Sequence, residues 1–538
     1  MNRLLVRALT IVVLSGMVLA GCGPAAAPDE PTEVPSVPEE PSVPTEVSLD
    51  PTAIPATDIP PVEQNLRLAV LAVAETLDGL DQAQNSVRIE YQIYEPLART
   101  GMDANLEPVL AVSWEALDAT TWQLKLREGV TFHNGEEFDA DSVKFSFDYV
   151  LDPDNNVRRA GWIKMIKDVQ VVDKFTVNII TDGPSGLVIP ALWNVNIRPA
   201  KYFAEVGAEG FAQAPVGTGP FKVVEFSQDE RVVLERYDDY WGGAPLLDTV
   251  EFIEMPEQST RMAALEAGEV DIAQDVALDQ VPRLQDAGLE TLSVVTTSTP
   301  TILIMNPKQA DEIPALSDQR VRQALNYAVD KAAIVDSLMG GLGRVTQSQF
   351  VTPDGFGFDR DLDPYPYDPA MATQLLSDAG VDGLTFTVYY PANRYPYGDQ
   401  ILEIVASYWA AIGVNVELVP MDAAEWGPKL RGGELASTLF GPGAGATGDL
   451  NDVLSAFHST HPFGWMNDPE LDALIDAERI TLDPDKRTEV LHEASAYLAE
   501  LAPVVWSVWP PQTFAFRTGL HEIGFSPNIL ELRTAYTE

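Results

Sequence analysis

Leu126-Arg127-Glu128-Gly129-Val130-Thr131-Phe132-His133-Asn134-Gly135, followed closely by Phe138-Asp139-Ala140-Asp141-Ser142-Val143, is the stretch that decides the fold. Just upstream, Thr121 to Arg127 alternates, with Trp122, Leu124 and Leu126 on one face, the period of a half-buried strand. Downstream, Asp139 is placed to cap a helix through about Val150, with Val143, Phe147 and Val150 inward. His133 falls in the turn between them and reads as a hydrogen-bonded turn residue. Strand, turn and capped helix in that order are the parts of an α/β protein.

The same grammar continues in both directions. Leu66 to Val70, Val232 to Glu235, Val250 to Ile253, Leu384 to Tyr390 and Val414 to Val419 read as strands. Thr260 to Ala267 reads as a helix stopped by Gly268. From Gln319 to Met339 apolar residues recur at three- and four-residue spacing (Val321, Leu325, Ala328, Ala332, Val335, Leu338), which predicts one amphipathic helix. Asp399 to Ala411 is another helix. Asp468-Pro469 and Asp483-Pro484 each set an N-cap before a proline at the first helical position. Strands interleaved with helices over 538 residues imply at least two sheets and more than one core. No internal repeat is visible.

Charge narrows the partners. The chain has 34 Lys and Arg against 81 Asp and Glu, a formal net charge of -47. A surface this acidic repels nucleic-acid phosphates and anionic lipid headgroups, so no nucleic-acid partner is expected. A single cysteine, Cys22, rules out an intramolecular disulfide, and five histidines leave little material for a metal site. The pair His458 and His461 sits in a loop without a thiol or carboxylate cluster, and neither metal nor cofactor is expected.

The N-terminus reads as an address. Arg3 and Arg7 precede an apolar run from Ala8 to Ala20, too short to span a bilayer comfortably, ending in Leu19-Ala20-Gly21-Cys22. Residues 1–21 are therefore expected to be a bacterial lipoprotein signal, with Cys22 as the lipidated residue that holds the protein to the membrane. Residues 22–63 are rich in Pro and Glu and carry no Lys or Arg, the composition of a disordered tether.

Searches for catalytic patterns find no Gly-x-Ser-x-Gly, phosphate-binding loop or His-Glu-x-x-His, so an enzyme is not expected. What does recur is a series of strings in one order. Tyr94-Glu95-Pro96-Leu97-Ala98 is followed by Trp114, by the two strings quoted first, and by Gly217-Thr218-Gly219-Pro220-Phe221. Then come Arg236-Tyr237-Asp238-Asp239-Tyr240-Trp241-Gly242-Gly243, Ala264-Leu265-Glu266-Ala267-Gly268-Glu269-Val270-Asp271-Ile272 and Arg320-Val321-Arg322-Gln323-Ala324-Leu325-Asn326-Tyr327-Ala328-Val329-Asp330-Lys331. Over residues 65 to 538 the chain resembles the oligopeptide, dipeptide and nickel class of ABC-transporter solute-binding proteins, extracellular solute-binding protein family 5.

The resemblance implies a periplasmic-binding-protein-like fold: two α/β lobes joined by hinge strands, plus an extra subdomain inserted in lobe one. Lobe one would span 64–305 with its insert at about 91–200, lobe two 306–507, and 508–538 would return to lobe one. It also implies a monomer outside the cytoplasm that encloses a small solute, peptide-like or oligosaccharide-like, and delivers it to a cognate ABC permease. A ligand sensor docking to a membrane receptor without transport is the alternative. By family position the solute would meet Glu75 and Thr76 in the loop after the first strand, Arg159 and Trp162 in the insert, and Phe440, Gly441, Pro442 and Gly443 in the loop beginning at Thr438. Trp465, and after it Trp506 and Trp509, offer further aromatic faces. Peptide-binding members place an acid in that loop to hold the peptide's α-amino group; here Gly443 or Ala444 stands instead. Selection by a free ammonium group is therefore not expected.

Overall fold

Alternating apolar residues build three sheets of four or more strands, each with its own buried face. The computed structural model describes residues 63–80, 84–101, 106–295, 302–305, 309, 311–363, 365–441, 447–525 and 530–538. The signal segment, Cys22, the proline-rich stretch as far as residue 62, and Pro442, Gly443 and Ala444 lie outside the described residues. No described helix is long and apolar enough to cross a membrane.

The first sheet has seven strands, in the order Glu290–Val295, Pro511–Phe516, Ile272–Gln274, Asn65–Val70, Thr249–Glu254, Arg231–Arg236 and Phe221–Ser227. Asn65–Val70 lies at its centre, parallel to both neighbours, and Leu66, Leu68, Ala69 and Val70 are all buried. Such a strand is covered on both faces, which its nearly continuous apolar run reflects. A four-stranded antiparallel sheet is inserted between the first and later strands of this one, in the order Ala111–Asp118, Thr121–Leu126, Thr176–Thr181 and Ile166–Asp173. Trp122, Leu124 and Leu126 face its core, as the alternation requires. The Asp139 carboxylate accepts the amides of Asp141 and Ser142 at 3.1 Å and starts the helix Ala140–Leu151 that packs on this sheet.

The third sheet has five strands, in the order Asn415–Met421, Thr385–Pro391, Ser437–Phe440, Ile302–Met305 and Val504–Trp506. Ile302–Met305 runs antiparallel between Ser437–Phe440 and Val504–Trp506. A boundary at residue 306 would have left it with lobe one; its backbone pairing puts it in lobe two. The chain thus passes between lobes twice, after Val295 and again between Trp506 and Pro511. The helix expected over Gln319–Met339 is in fact two, Gln319–Tyr327 and Lys331–Met339. The Asp330 carboxylate accepts the Ala333 amide at 2.9 Å and caps the second, so a capping residue overrides an unbroken apolar period.

The ordered strings of the sequence meet at one buried carboxylate. Glu95 accepts hydrogen bonds from the Thr218 hydroxyl at 2.8 Å, the Tyr240 hydroxyl at 2.7 Å and the Trp241 indole N–H at 2.8 Å. Burial pushes its pKa above the ordinary carboxylate value, while these three donors pull it back. Gly217 lies against the strand of strings from the other side: a Cβ there would sit 2.0 Å from the Ile93 carbonyl oxygen, so no side chain fits. His133 is likewise held in place, accepting the Gly217 amide at Nδ1 and meeting the Gly219 carbonyl with Nε2 at 3.0 Å. Its pKa is lowered to about 4, chiefly by burial. Replacing Glu95 by Ala leaves three buried donors without an acceptor and should cost about 3–5 kcal/mol in a urea-unfolding experiment. A loss below about 1 kcal/mol would show that these donors find other partners.

Candidate functional site

A cleft of about 680 Å³ opens between the inserted subdomain and lobe two. The insert contributes Trp162, which ends the turn Arg158–Trp162, Lys164 and Met165, which follow it, and residues of the loop from Asp182 to Leu187. Lobe two contributes the end of the strand Ser437–Phe440, the short helix Asn451–Leu454, the loop holding His461 to Trp465, and Arg479 near the end of the helix Pro469–Ile480. The two sides touch. The Gly186 amide donates to the Arg479 carbonyl at 2.8 Å, and the Thr100 hydroxyl donates to the Thr447 carbonyl at 2.6 Å. Leu482 packs into the insert's core and Leu278 against that of lobe two.

One wall is aromatic. Trp465 is only 1% exposed and acts as its floor. Phe440 meets it edge-on with centroids 4.4 Å apart, Phe463 stacks on it at 4.8 Å with planes 9° apart, and Phe457 packs edge-on behind it at 5.3 Å. Trp162, 37% exposed, stands across the cleft. Gly441 follows Phe440 and lies so close to the Tyr395 ring that a Cβ would come within 2.6 Å of it.

The other expected positions sit elsewhere. Arg159 lies beneath the surface, its guanidinium 2.9 Å from the Glu90 carboxylate with both side chains buried. A buried guanidinium is held by its partner, and this one is spent on joining the insert to the helix Gln84–Ile93. Glu75 is exposed, the Thr76 hydroxyl accepts the Asp78 amide at 3.3 Å, and neither borders the cleft. Trp506 and Trp509 are buried, Trp506 stacking on Tyr365, and belong to the core of lobe two and its margin. His458 is occupied by Thr460 and by Asp476, whose carboxylate is 3.3 Å from Nε2. Among the described residues no group of three or more His, Cys, Asp or Glu could hold a metal ion.

Sequence reasoning missed the polar side chains of the cleft. Although Gly443 or Ala444 replaces the acid of the Phe440 loop in the sequence, two carboxylates from other segments, Asp182 and Asp452, border the cleft. Behind them lies a buried ionic knot. Arg487 donates to both oxygens of Asp449, at 2.7 and 2.8 Å, and its Nε donates to Glu478 at 2.9 Å. Burial raises the Glu478 pKa to about 7, with Asp449 adding to the rise and Arg487 opposing it. Asp452, hydrogen-bonded by the Thr447 hydroxyl, is pushed well above the usual carboxylate range by burial and by the Asp449 charge. The only sequence signal for the knot was a run of Lys486 and Arg487 in a helix's first turn, which elsewhere marks an exposed face.

The family profile described as "Bacterial extracellular solute-binding proteins, family 5 Middle" matches residues 105–464, and the chain belongs to that family. It is thus an extracytoplasmic solute-binding protein, of the kind that captures a solute between two lobes and delivers it to an ABC importer. A glutathione-binding protein GsiB of Pectobacterium atrosepticum is 30% identical over 446 residues, covering 78% of this chain and 84% of that protein. Heme-binding protein A of Haemophilus influenzae is 29% identical over 462 residues, covering 79% and 80%. Among solved structures, the ABC transporter substrate-binding protein CtaP of Listeria monocytogenes superposes with a TM-score of 0.79 at 24% identity, covering 88% of this chain and 99% of that one.

Glu478 ties the site to pH. Its pKa in the fold lies above that of a free glutamate, so its stabilising contribution is complete below the free value and is lost as pH rises through about 7. Between about pH 4.5 and pH 8 the wild type should lose on the order of 2–3 kcal/mol relative to Glu478→Gln, which cannot ionise. Urea unfolding of both proteins across that range checks this; parallel pH profiles would contradict it.

Proposed function

We propose that this protein holds its solute in the cleft walled by Trp162, Phe440, Phe463 and Trp465, and that the solute presents a flat or apolar face to that wall. The observation that carries the reading is a cleft of about 680 Å³ lined by aromatic side chains from two sides that touch each other at Gly186 and Thr100. Its size falls within the roughly 300–1,000 Å³ usual for small-molecule sites. Relatives whose names specify glutathione, heme and dipeptides span solutes of very different shape, and none fixes the solute here. Gly441 would form the rim beside Phe440. The Glu75–Thr76 loop would act at a distance from the wall, and Arg159 through the packing of the insert.

Catalysis is no part of this function. Asp449 and Glu478 are committed to Arg487, and Asp452 to Thr447, and the relatives are named as binding proteins, which supports this reading. The protein works as a monomer with a cognate permease. It is held at the membrane by lipids on Cys22 and spaced from it by the tether; Cys22→Ser should move it to the soluble fraction, and retention at the membrane would refute the anchor.

Selection does not depend on a free α-amino group. An ammonium in the closed cleft would need a full counter-charge, and burial and the Asp449 charge disfavour the ionised form of Asp452. The test is calorimetry of the purified protein with di- to pentapeptides, each free and N-acetylated, beside oligosaccharides, after mass spectrometry of whatever co-purifies. Acetylation should change affinity less than about threefold. Tight binding that acetylation abolishes would overturn this reading and point to Asp182 or Glu75 as an ammonium anchor.

A further inference from the structure

Cations are scarce in this chain, with 34 Lys and Arg against 81 Asp and Glu, yet three basic side chains border the one cleft. Lys164 comes from the insert, and His461 and Arg479 come from lobe two, so they are brought together only by the approach of the two sides. We propose that Lys164, His461 and Arg479 form a subsite for an anionic group of the solute, a carboxylate or a phosphate, beside the aromatic wall that takes its body. The inference rests on the cleft being the solute site and adds the charge of what it takes.

Each member is poised for an anion. Lys164 is exposed and has no ion-pair partner among the described residues, whereas its neighbour Lys167 pairs with Asp182 at 3.8 Å. Arg479 shares only the largely exposed Asp476, at 3.4 Å. His461 accepts the Phe463 amide at Nδ1, 3.2 Å away, so its neutral ring carries the proton on Nε2, where it is a donor. Burial, and then the charges of Lys164, Arg479 and His458, hold the His461 pKa below its ordinary value. The unliganded cleft therefore disfavours the protonated ring. An anion beside it would favour the protonated form, and binding would take up a proton.

The acidic groups around the subsite do not cancel it. Asp182 is engaged by Lys167. Asp452 is pushed well above the usual carboxylate range by burial and Asp449. Asp472 accepts the amide and hydroxyl of Ser459, and Asp476 faces His458 and Arg479. Glu478 and Asp449 are closed on Arg487. Lys164 and Arg479 thus face the cleft as cations in a protein that is otherwise strongly negative.

The test compares charged and neutral members of matched pairs on the full-length protein by calorimetry: an N-acetylated tripeptide as free acid and as amide, and glucose 6-phosphate against glucose. In at least one pair the anion should bind about tenfold or more tightly. The peptide pair reports a carboxylate and the sugar pair a phosphate. The gap should shrink in Lys164→Gln and persist in Lys167→Gln. In parallel, histidine NMR should show the His461 pKa rising when inorganic phosphate is added, the signal being assigned by its loss in His461→Gln. Neutral members binding as well as charged ones, or a gap that survives Lys164→Gln, would overturn the subsite while leaving the cleft reading intact. If no organic probe binds, a His461 signal unmoved by phosphate overturns it alone. Solute protection mapped by hydrogen exchange away from residues 451–465 would instead refute the cleft itself.

Discussion

The Arg487 guanidinium is the constraint on which the cleft wall of lobe two depends. Three of its N–H donors reach the loop at Asp449 and the helix that ends beyond Glu478, and it stands itself in the first turn of the helix Pro484–Leu501. Those segments supply Asn451, Asp452, Val453, Ser455, Ala456 and Arg479 to the cleft. A buried ionic knot of this kind adds little net stability over well-packed apolar groups, because desolvation offsets most of the attraction. Its effect is geometric: three segments separated in sequence are held in one arrangement, since any slip leaves a charge buried without its partner. The knot also reaches the opposite side, because the Arg487 Cδ lies 3.3 Å from the place a Cβ on Gly186 would occupy.

Local structure was legible in the sequence because its causes are local. Asp139, Asp468 and Asp483 cap the helices they were expected to cap, and Trp122, Leu124 and Leu126 face inward as their spacing requires. The ordered strings revealed the family. What the strings did not reveal is why they are there: Glu95, Thr218, Tyr240 and Trp241 are far apart in the chain and meet only after three dimensions are known. The cleft was half legible. Trp162, Phe440 and Trp465 do come together, whereas Arg159 went into an ion pair with Glu90. Lys164 and Arg479 gave no signal, since a surface lysine and a helix-terminal arginine look alike whether or not a solute lies beside them.

The wall and the contact that shuts it are made of different material. Phe440 and Phe463 braced on Trp465 form a rigid apolar face that needs no solute to keep its shape. The two sides meet instead through a few hydrogen bonds, from the Gly186 amide to the Arg479 carbonyl and from the Thr100 hydroxyl to the Thr447 carbonyl, with Leu482 and Leu278 packed beside them. In the proposed capture, contacts so few leave the solute's own contacts to decide how much of the population is closed.

Gly186 is the place to test this. A Cβ there would lie 2.0 Å from the Thr481 carbonyl oxygen, in the contact between the two sides and outside the core of either. Small-angle X-ray scattering of the wild type and of Gly186→Val, each with and without the solute identified from the purified protein, measures closure directly. The expected result is a wild type that becomes more compact on adding solute, and a Gly186→Val protein that is equally stable, stays extended and binds at least about tenfold more weakly. A Gly186→Val protein that compacts and binds like the wild type would contradict capture by closure of this cleft.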